Sequence, residues 1–283
     1  MTKLAIIGNC QARPLAKILT ACTEATVSDI FIIHLEKTDK SDQFWEALDA
    51  SDYVLTQLTN DNYPCPHVRS SKIKRRYSEK VFVWPNLFHS GQQPLLRYIT
   101  NINNGRILGP LDAYHNINTF NQWRQNRRLE GLVVLPEFKV IEDCSTASLK
   151  SRELFCDVKM SDFITRHLTH QKLFFTFNHP TMFLLTELAK RCAKLLKLEF
   201  NQSFLPTGEP LGSISPPSPF TDHDKQEYLG REIIFSNEGN ILMGNPKTYN
   251  QEELLKKYFI SYDQQINQLS DFTNLRFTPN YNT

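Results

Sequence analysis

Cys10 follows the apolar run Leu4-Ala5-Ile6-Ile7 and the pair Gly8-Asn9, and Gln11 comes next. A thiol at the junction of a strand and a helix lies where unpaired N–H groups and the positive end of the helix dipole meet. Such a position favours the thiolate. The same N–H groups, with the side-chain amides of Asn9 or Gln11, can hold the oxyanion of an acyl-transfer intermediate. A thiol of this kind works with a base, and His179 is the best placed of the eight histidines. It stands between Asn178 and Pro180, just past the apolar run Leu173 to Phe177. If both runs are strands of one parallel sheet, Cys10 and His179 share a rim, the arrangement nucleophilic or general-base acyl transfer requires. The alternative for each residue is structural: a small thiol packed under a turn, and an imidazole bonded to turn backbone.

A second feature is basic. Arg69, Lys72, Lys74, Arg75, Arg76 and Lys80 crowd into one short segment with a single acid, Glu79. In a chain of net charge +2 this is a local concentration, suited to phosphate groups or simply to a solvated helix face. Interleaved stacking aromatics are missing apart from Tyr77, so nucleic acid is not expected. His89, Arg97 and His115 are further candidates around an anionic ligand. There is no Walker or Rossmann glycine-rich loop. The six cysteines form no CxxC pair, and Cys65-Pro66-His67 alone is too small a set for structural zinc, so no metal is expected.

The elements that must position these residues are legible as alternating strands and helices. Leu4 to Ile7 reads as a strand, followed by a helix from near Gln11 with Pro14 in its first turn. Val27 to Leu35, Tyr53 to Gln57 and Val81 to Trp84 read as further strands, with a short helix over Phe44 to Leu48. Leu132 to Leu135 is a strand or a connector. Leu149 to His170 has one continuous helical pattern, Leu173 to Phe177 is strand-like, and Thr181 to Leu198 is an amphipathic helix. Beyond about residue 201 the composition shifts. Leu211 to Thr221 reads as an extended loop, Arg231 to Phe235 and Asn240 to Met243 as a hairpin, and Gln251 to Gln268 as a terminal helix. The expectation is an α/β fold with a largely parallel sheet, one domain over 1–283, its core about 1–200 and a carboxy-terminal α+β elaboration over 201–283. The amino-terminal apolar run is too short for a signal peptide, and no stretch reaches the roughly 18 apolar residues of a membrane span. A cytoplasmic protein with reduced thiols is expected.

Gly8-Asn9-Cys10-Gln11, Gln57, Pro85-Asn86 with Gly91 and Pro94, Gly109-Pro110 with Tyr114-His115, and Asn178-His179-Pro180 form an ordered series. Together they resemble the acetyltransferases of capsular polysaccharide biosynthesis of the WcbI type. More distantly they resemble the SGNH hydrolases, with Gly-Asn-Cys in place of Gly-Asp-Ser. The resemblance implies an SGNH- or flavodoxin-like three-layer fold. It also implies coenzyme A or acetyl-CoA as co-substrate, and a saccharide or sugar nucleotide as acceptor. Association with polysaccharide assembly enzymes would follow. Carried over, Cys10 is the nucleophile and His179 the general base. Asn9, Gln11 and Gln57 lie near the oxyanion, Asn60-Asp61-Asn62 competing with Gln57 for that place. One departure stands out: SGNH proteins place an Asp three residues before the His, and here that residue is Thr176. The orienting carboxylate is either missing, which a cysteine tolerates better than a serine, or supplied elsewhere, with Asp112 and Glu137 as candidates. A cysteine-variant esterase acting without coenzyme A, and a non-catalytic binding protein of an assembly complex, are the alternatives.

Overall fold

The computed structural model describes residues 1–93, 97–100, 106–109, 125, 138–213, 227–235, 241–250, 276–277 and scattered positions between 253 and 263. Four parallel strands form its central sheet: β1 (Lys3–Gly8), β2 (Thr26–Ile32), β3 (Tyr53–Gln57) and β4 (Val81–Trp84). Their order across the sheet is β2-β1-β3-β4. The connections are α1 (Ala12–Cys22), α2 (Ser41–Asp49) and α3 (Ser70–Arg76).

Alternation along β1 explains the layering. Leu4 and Ile6 join one apolar cluster, with α1 and the later helices, while Ala5 and Ile7 join another, with α2 and α3. Successive side chains of a strand point to opposite faces, so a run buried on both sides lacks polar alternation and reads as a continuous apolar stretch. The result is a helix–sheet–helix sandwich. Gly8 ends β1 because of what lies against it: a Cβ there would stand 2.6 Å from the ring of Trp84, itself fully buried.

The chain first runs outward from β1 to β2, then crosses back to β3 on the other side. The carboxyl ends of β1 and β3 therefore flank the point where the strand order reverses, the usual ligand position of open parallel sheets.

Two sequence expectations are corrected here. The helical pattern from Leu149 to His170 is not one helix but the end of α4 (Phe138–Glu153) and a separate α5 (Ser161–His167). The break has a long-range cause. The N–H groups of Asp157 and Val158 both bond Val83 O, at 2.8 and 3.1 Å, and the Asp157 carboxylate accepts the Val83 N–H at 2.7 Å. This segment covers the open edge of β4, which would otherwise present unpaired backbone. Buried Glu153 then accepts the N–H groups of Met160 and Ser161, starting α5.

The second correction concerns the run near His179. β7 (Phe174–Thr176) is not a strand of the parallel sheet but pairs antiparallel with β8 (His179–Pro180). It is joined instead to the chain that follows β4: His89 N–H donates to Phe177 O at 2.7 Å. The amphipathic helix follows as α6 (Met182–Leu195) and packs with α1. Elsewhere β5 (Arg97–Thr100) pairs with β6 (Arg106–Gly109) and β11 (Arg276–Phe277), and the expected hairpin is β9 (Glu227–Phe235) with β10 (Ile241–Asn250), longer than the sequence suggested. Residues 132–135 and most of 251–268, where a terminal helix was expected, lie outside the described residues, as do Asp112, His115 and Glu137. Among the described residues no helix is long and apolar enough to cross a membrane.

Candidate functional site

Four amide side chains meet at the reversal point. Gln57, at the end of β3, accepts the Asn9 N–H at 3.0 Å and donates to Asn9 Oδ1 at 3.4 Å and Gln11 Oε1 at 3.3 Å. Asn9 Oδ1 also accepts the Gln11 N–H at 3.0 Å, a local side-chain turn that delivers the chain into α1. Asn9 Nδ2 donates to Asn86 Oδ1 at 3.2 Å, so the residue after Trp84-Pro85 is tied in as well. Gln11 is fully buried. Its Oε1 accepts the Leu87 N–H at 3.2 Å, and its Nε2 donates to Leu87 O at 2.9 Å and Asn178 O at 2.8 Å.

That last bond decides the arrangement. Gln11 follows Cys10, and Asn178 precedes His179, so one partly buried hydrogen bond ties the thiol turn to the imidazole turn across a large sequence separation. The turn that carries His179 is thereby joined to the turn that carries Cys10 by a route other than the expected parallel strand, while His179 itself does not line the cleft onto which Cys10 opens. The position that would carry a triad carboxylate, Thr176, donates instead to Asn178 Oδ1 at 3.0 Å and shapes the turn rather than the ring. His179 Nδ1 is buried with no hydrogen-bond partner among the described residues.

Burial governs the electrostatics. It pushes the Cys10 thiol up from its ordinary value, offset in part by the residue's own N–H. This corrects the expectation of a lowered value: α1 begins only at Ala12, and desolvation outweighs the dipole. Burial also pushes His179 down, so its ring is neutral at neutral pH and able to take a proton.

Cys10 opens onto a cleft of about 350 Å³ between α1, the end of β2 and residues 210–211. Exposed Arg13 and Lys17 stand on its α1 wall, with His34 and Leu35 opposite and Pro210 and Leu211 closing it. Arg13 and Lys17 were missed from sequence. Their signal was the helical spacing of positions 10, 13, 14 and 17, which puts two cations on the thiol's own face.

The basic segment goes elsewhere. Arg76 pairs with Asp49 at 3.4 Å and lies over the Trp45 ring, while Lys80 donates to Leu48 O at 2.6 Å and Ser51 O at 2.8 Å. Lys80 directly precedes β4 and so sits at the amino ends of the strands, opposite Cys10. Lys74 pairs with Asp157 at 2.9 Å, and Arg69 Nε donates to Tyr63 O at 2.9 Å. Lys72 and Arg75 face solvent. Arg97 lies on β5, in a sheet separate from the central parallel one.

His89 is no surface cation either. Fully buried, it accepts the Gly91 N–H on Nδ1 at 3.1 Å, which leaves Nε2–H for Thr146 Oγ1 at 3.1 Å. Desolvation, then the Arg152 charge, lower its pKa from 6.5 to about 4. Above pH 6.5 the neutral ring contributes its full stability. As pH falls toward 4 the unfolded chain takes up a proton that the native state refuses, and roughly 3 kcal/mol is lost. We expect His89→Gln to flatten the denaturation midpoint between these pH values, and an unchanged slope would refute this role.

The family model for "Polysaccharide biosynthesis enzyme WcbI" matches residues 3–201. The chain belongs to the WcbI family. The matched span begins with β1 and ends after α6, and so includes Cys10, the amide network and His179. No curated protein sequence matches the chain. Among solved structures, that of WcbI, a polysaccharide biosynthesis enzyme, superposes with a TM-score of 0.66 at 20 % identity, over 93 % of this chain and 90 % of that one. At this identity the likeness establishes a common fold, and it extends past residue 201 into the carboxy-terminal third.

Proposed function

We propose that this WcbI family member is an acyl-CoA-dependent O-acetyltransferase acting on a saccharide in surface polysaccharide biosynthesis. The observation that carries the reading is the Gln11–Asn178 hydrogen bond. It couples Cys10, at a cleft bearing Arg13 and Lys17, to the turn of a neutral His179. The two cations suit the phosphates of coenzyme A, and the cleft's apolar residues suit its pantetheine arm. The solved WcbI structure is of native protein without a disulfide bond between coenzyme A and one of its cysteines. A disulfide between the two would need their sulfurs adjacent, which supports placing the coenzyme A thiol beside a cysteine here too.

In this reading Cys10 Sγ attacks the acetyl carbonyl of acetyl-CoA as His179 takes the thiol proton. The carbon–sulfur bond to coenzyme A breaks, a thioester forms on Cys10, and the thiol proton passes to the departing coenzyme A thiolate. A sugar hydroxyl then attacks that thioester while His179 takes its proton and returns it to Cys10. Gln11 and Gln57 spend their side-chain amides on the network, so they hold backbone in place rather than donate to an oxyanion.

The test is calorimetry with coenzyme A and acetyl-CoA. Wild type should bind both, and the Arg13→Ala/Lys17→Ala variant about tenfold or more weakly, with the difference shrinking as salt rises. Folded wild type that binds neither would refute the reading.

A further inference from the structure

A second cleft opens on the other side of the amide network. It has a volume of about 480 Å³ and begins one residue after Gln57, with Leu58 and Thr59. Asn60, Ser71 and Lys74 line the α3 side, and Arg152 and Phe155 line the side formed by the end of α4. The two clefts thus flank one rim. The first lies against α1 and β2, and the second against the loop after β3 and the β4 edge.

Arg152 is the residue that asks for a ligand. Its guanidinium bonds neutral groups only, Phe88 O at 3.0 Å and Ser148 Oγ at 3.4 Å. Its buried Nε has no hydrogen-bond partner among the described residues; the head lies 5.9 Å from the Phe88 ring centroid, and the Glu153 charge acts on it without a hydrogen bond between them there. Adjacent Glu153 spends its carboxylate on Met160 and Ser161. A guanidinium cannot discard its proton, so a half-buried one whose Nε–H lacks an acceptor is costly until an anion arrives. Lys74, by contrast, is already matched by Asp157.

The rest of the cleft suits a saccharide. Thr59 Oγ1 already donates to Gln57 O at 3.0 Å and Ser71 Oγ to the Asp61 carboxylate, so it is Asp61, on the same wall, and the Asn60 amide that meet sugar hydroxyls, with Arg152 across the cleft from that carboxylate. Phe155 leaves 70 % of its surface exposed, and the negative face of such a ring attracts the polarised C–H groups of a pyranose. The link to the chemistry is short. Arg152 holds Phe88 O, and Leu87 before it is held at both N–H and C=O by Gln11.

We propose that this second cleft binds the acceptor, and that the acceptor carries a phosphate ester, as in a glycosyl phosphate or the sugar end of a sugar nucleotide, with the phosphate on Arg152. The assignment as acceptor rests on the acetyltransferase reading above. The binding of a phosphorylated sugar does not.

The experiment is calorimetry with glucose 1-phosphate, mannose 1-phosphate, galactose 1-phosphate, the three free sugars, inorganic phosphate and coenzyme A. Wild type should bind at least one sugar phosphate, at least tenfold more tightly than its free sugar or inorganic phosphate. Arg152→Gln should weaken that binding about tenfold or more while leaving coenzyme A affinity unchanged. Phe155→Ala, at an exposed position, should weaken sugar phosphate but not coenzyme A, which keeps the test independent of any folding defect in the Arg152 variant. No sugar phosphate bound by protein that binds coenzyme A would overturn the proposal. Inorganic phosphate binding equally well would overturn its saccharide part. Loss of coenzyme A affinity in Arg152→Gln would hand the cleft to coenzyme A. Failure of coenzyme A to bind, with sugar phosphate still bound, would remove the acetyltransferase reading and leave this site standing.

Discussion

Replacing Cys10 by alanine is expected to abolish acetyl transfer, by about a thousandfold or more, while coenzyme A affinity stays within a few-fold of wild type. The size follows from the proposed role. A residue that forms a covalent intermediate contributes to the chemical step and little to ground-state binding, so its loss falls on kcat. The fold should tolerate the change. Cys10 is only partly buried, no hydrogen bond of the amide network uses its side chain, and the chain path through it is held by Asn9 and Gln11. A rate reduced only about tenfold would contradict the covalent role. It would leave His179 to activate the sugar hydroxyl for direct attack on acetyl-CoA, with Cys10 lining the cleft. Serine at position 10 separates size from chemistry, because it fills the space without the acidity of a thiol.

The second large effect is expected at Gln11. Substitution by leucine keeps the volume but removes the acceptor for Leu87 N–H and the donor for Leu87 O and Asn178 O, all at a fully buried position. Each buried group left unpaired costs about 1–3 kcal/mol, so a destabilisation of roughly 3 kcal/mol or more is expected in denaturant unfolding. Activity should fall further than stability explains. At temperatures where the variant is folded, the His179 turn has lost its tie to the thiol turn, and an error of about 1 Å in placing a catalytic group can cost a hundredfold. A folded Gln11→Leu variant with normal turnover would show that the tie does not position the site.

How much of this was legible in the sequence depends on the range of the interaction. β3 and β4 have the ends expected from their apolar runs, Tyr53–Gln57 and Val81–Trp84, because strands buried on both faces leave an unbroken apolar signature. The start of α1 after Gln11 was equally local, set by Pro14 and the helical spacing beyond it. What failed was set by distant partners. Asp157 breaks a helical pattern because it answers the exposed edge of β4. The basic segment does not reach the thiol, since Arg76 and Lys80 are taken up by Asp49 and the end of α2, at the far ends of the strands. His89 looked like a ligand contact and is a satisfied core histidine.

The site was half legible for the same reason. Cys10 and His179 could be singled out by type and local context, but the bond that joins their turns runs from a glutamine side chain to a backbone carbonyl, which no residue pattern announces. Arg13 and Lys17 were available from helical spacing alone. Arg152 was not: its significance lies in what does not pair with it, and that is visible only once the surrounding carboxylates have found their partners.

The most direct test of the account is to ask which thiol meets that of coenzyme A. Protein carrying Cys144→Ser, which removes the exposed cysteine, would be incubated with oxidised coenzyme A disulfide and mapped by peptide mass spectrometry. One coenzyme A per chain is expected, on the peptide containing Cys10, released by reductant and prevented by prior saturation with acetyl-CoA. An unmodified Cys10, or an adduct that acetyl-CoA does not suppress, would contradict the placement of the donor thioester at this site.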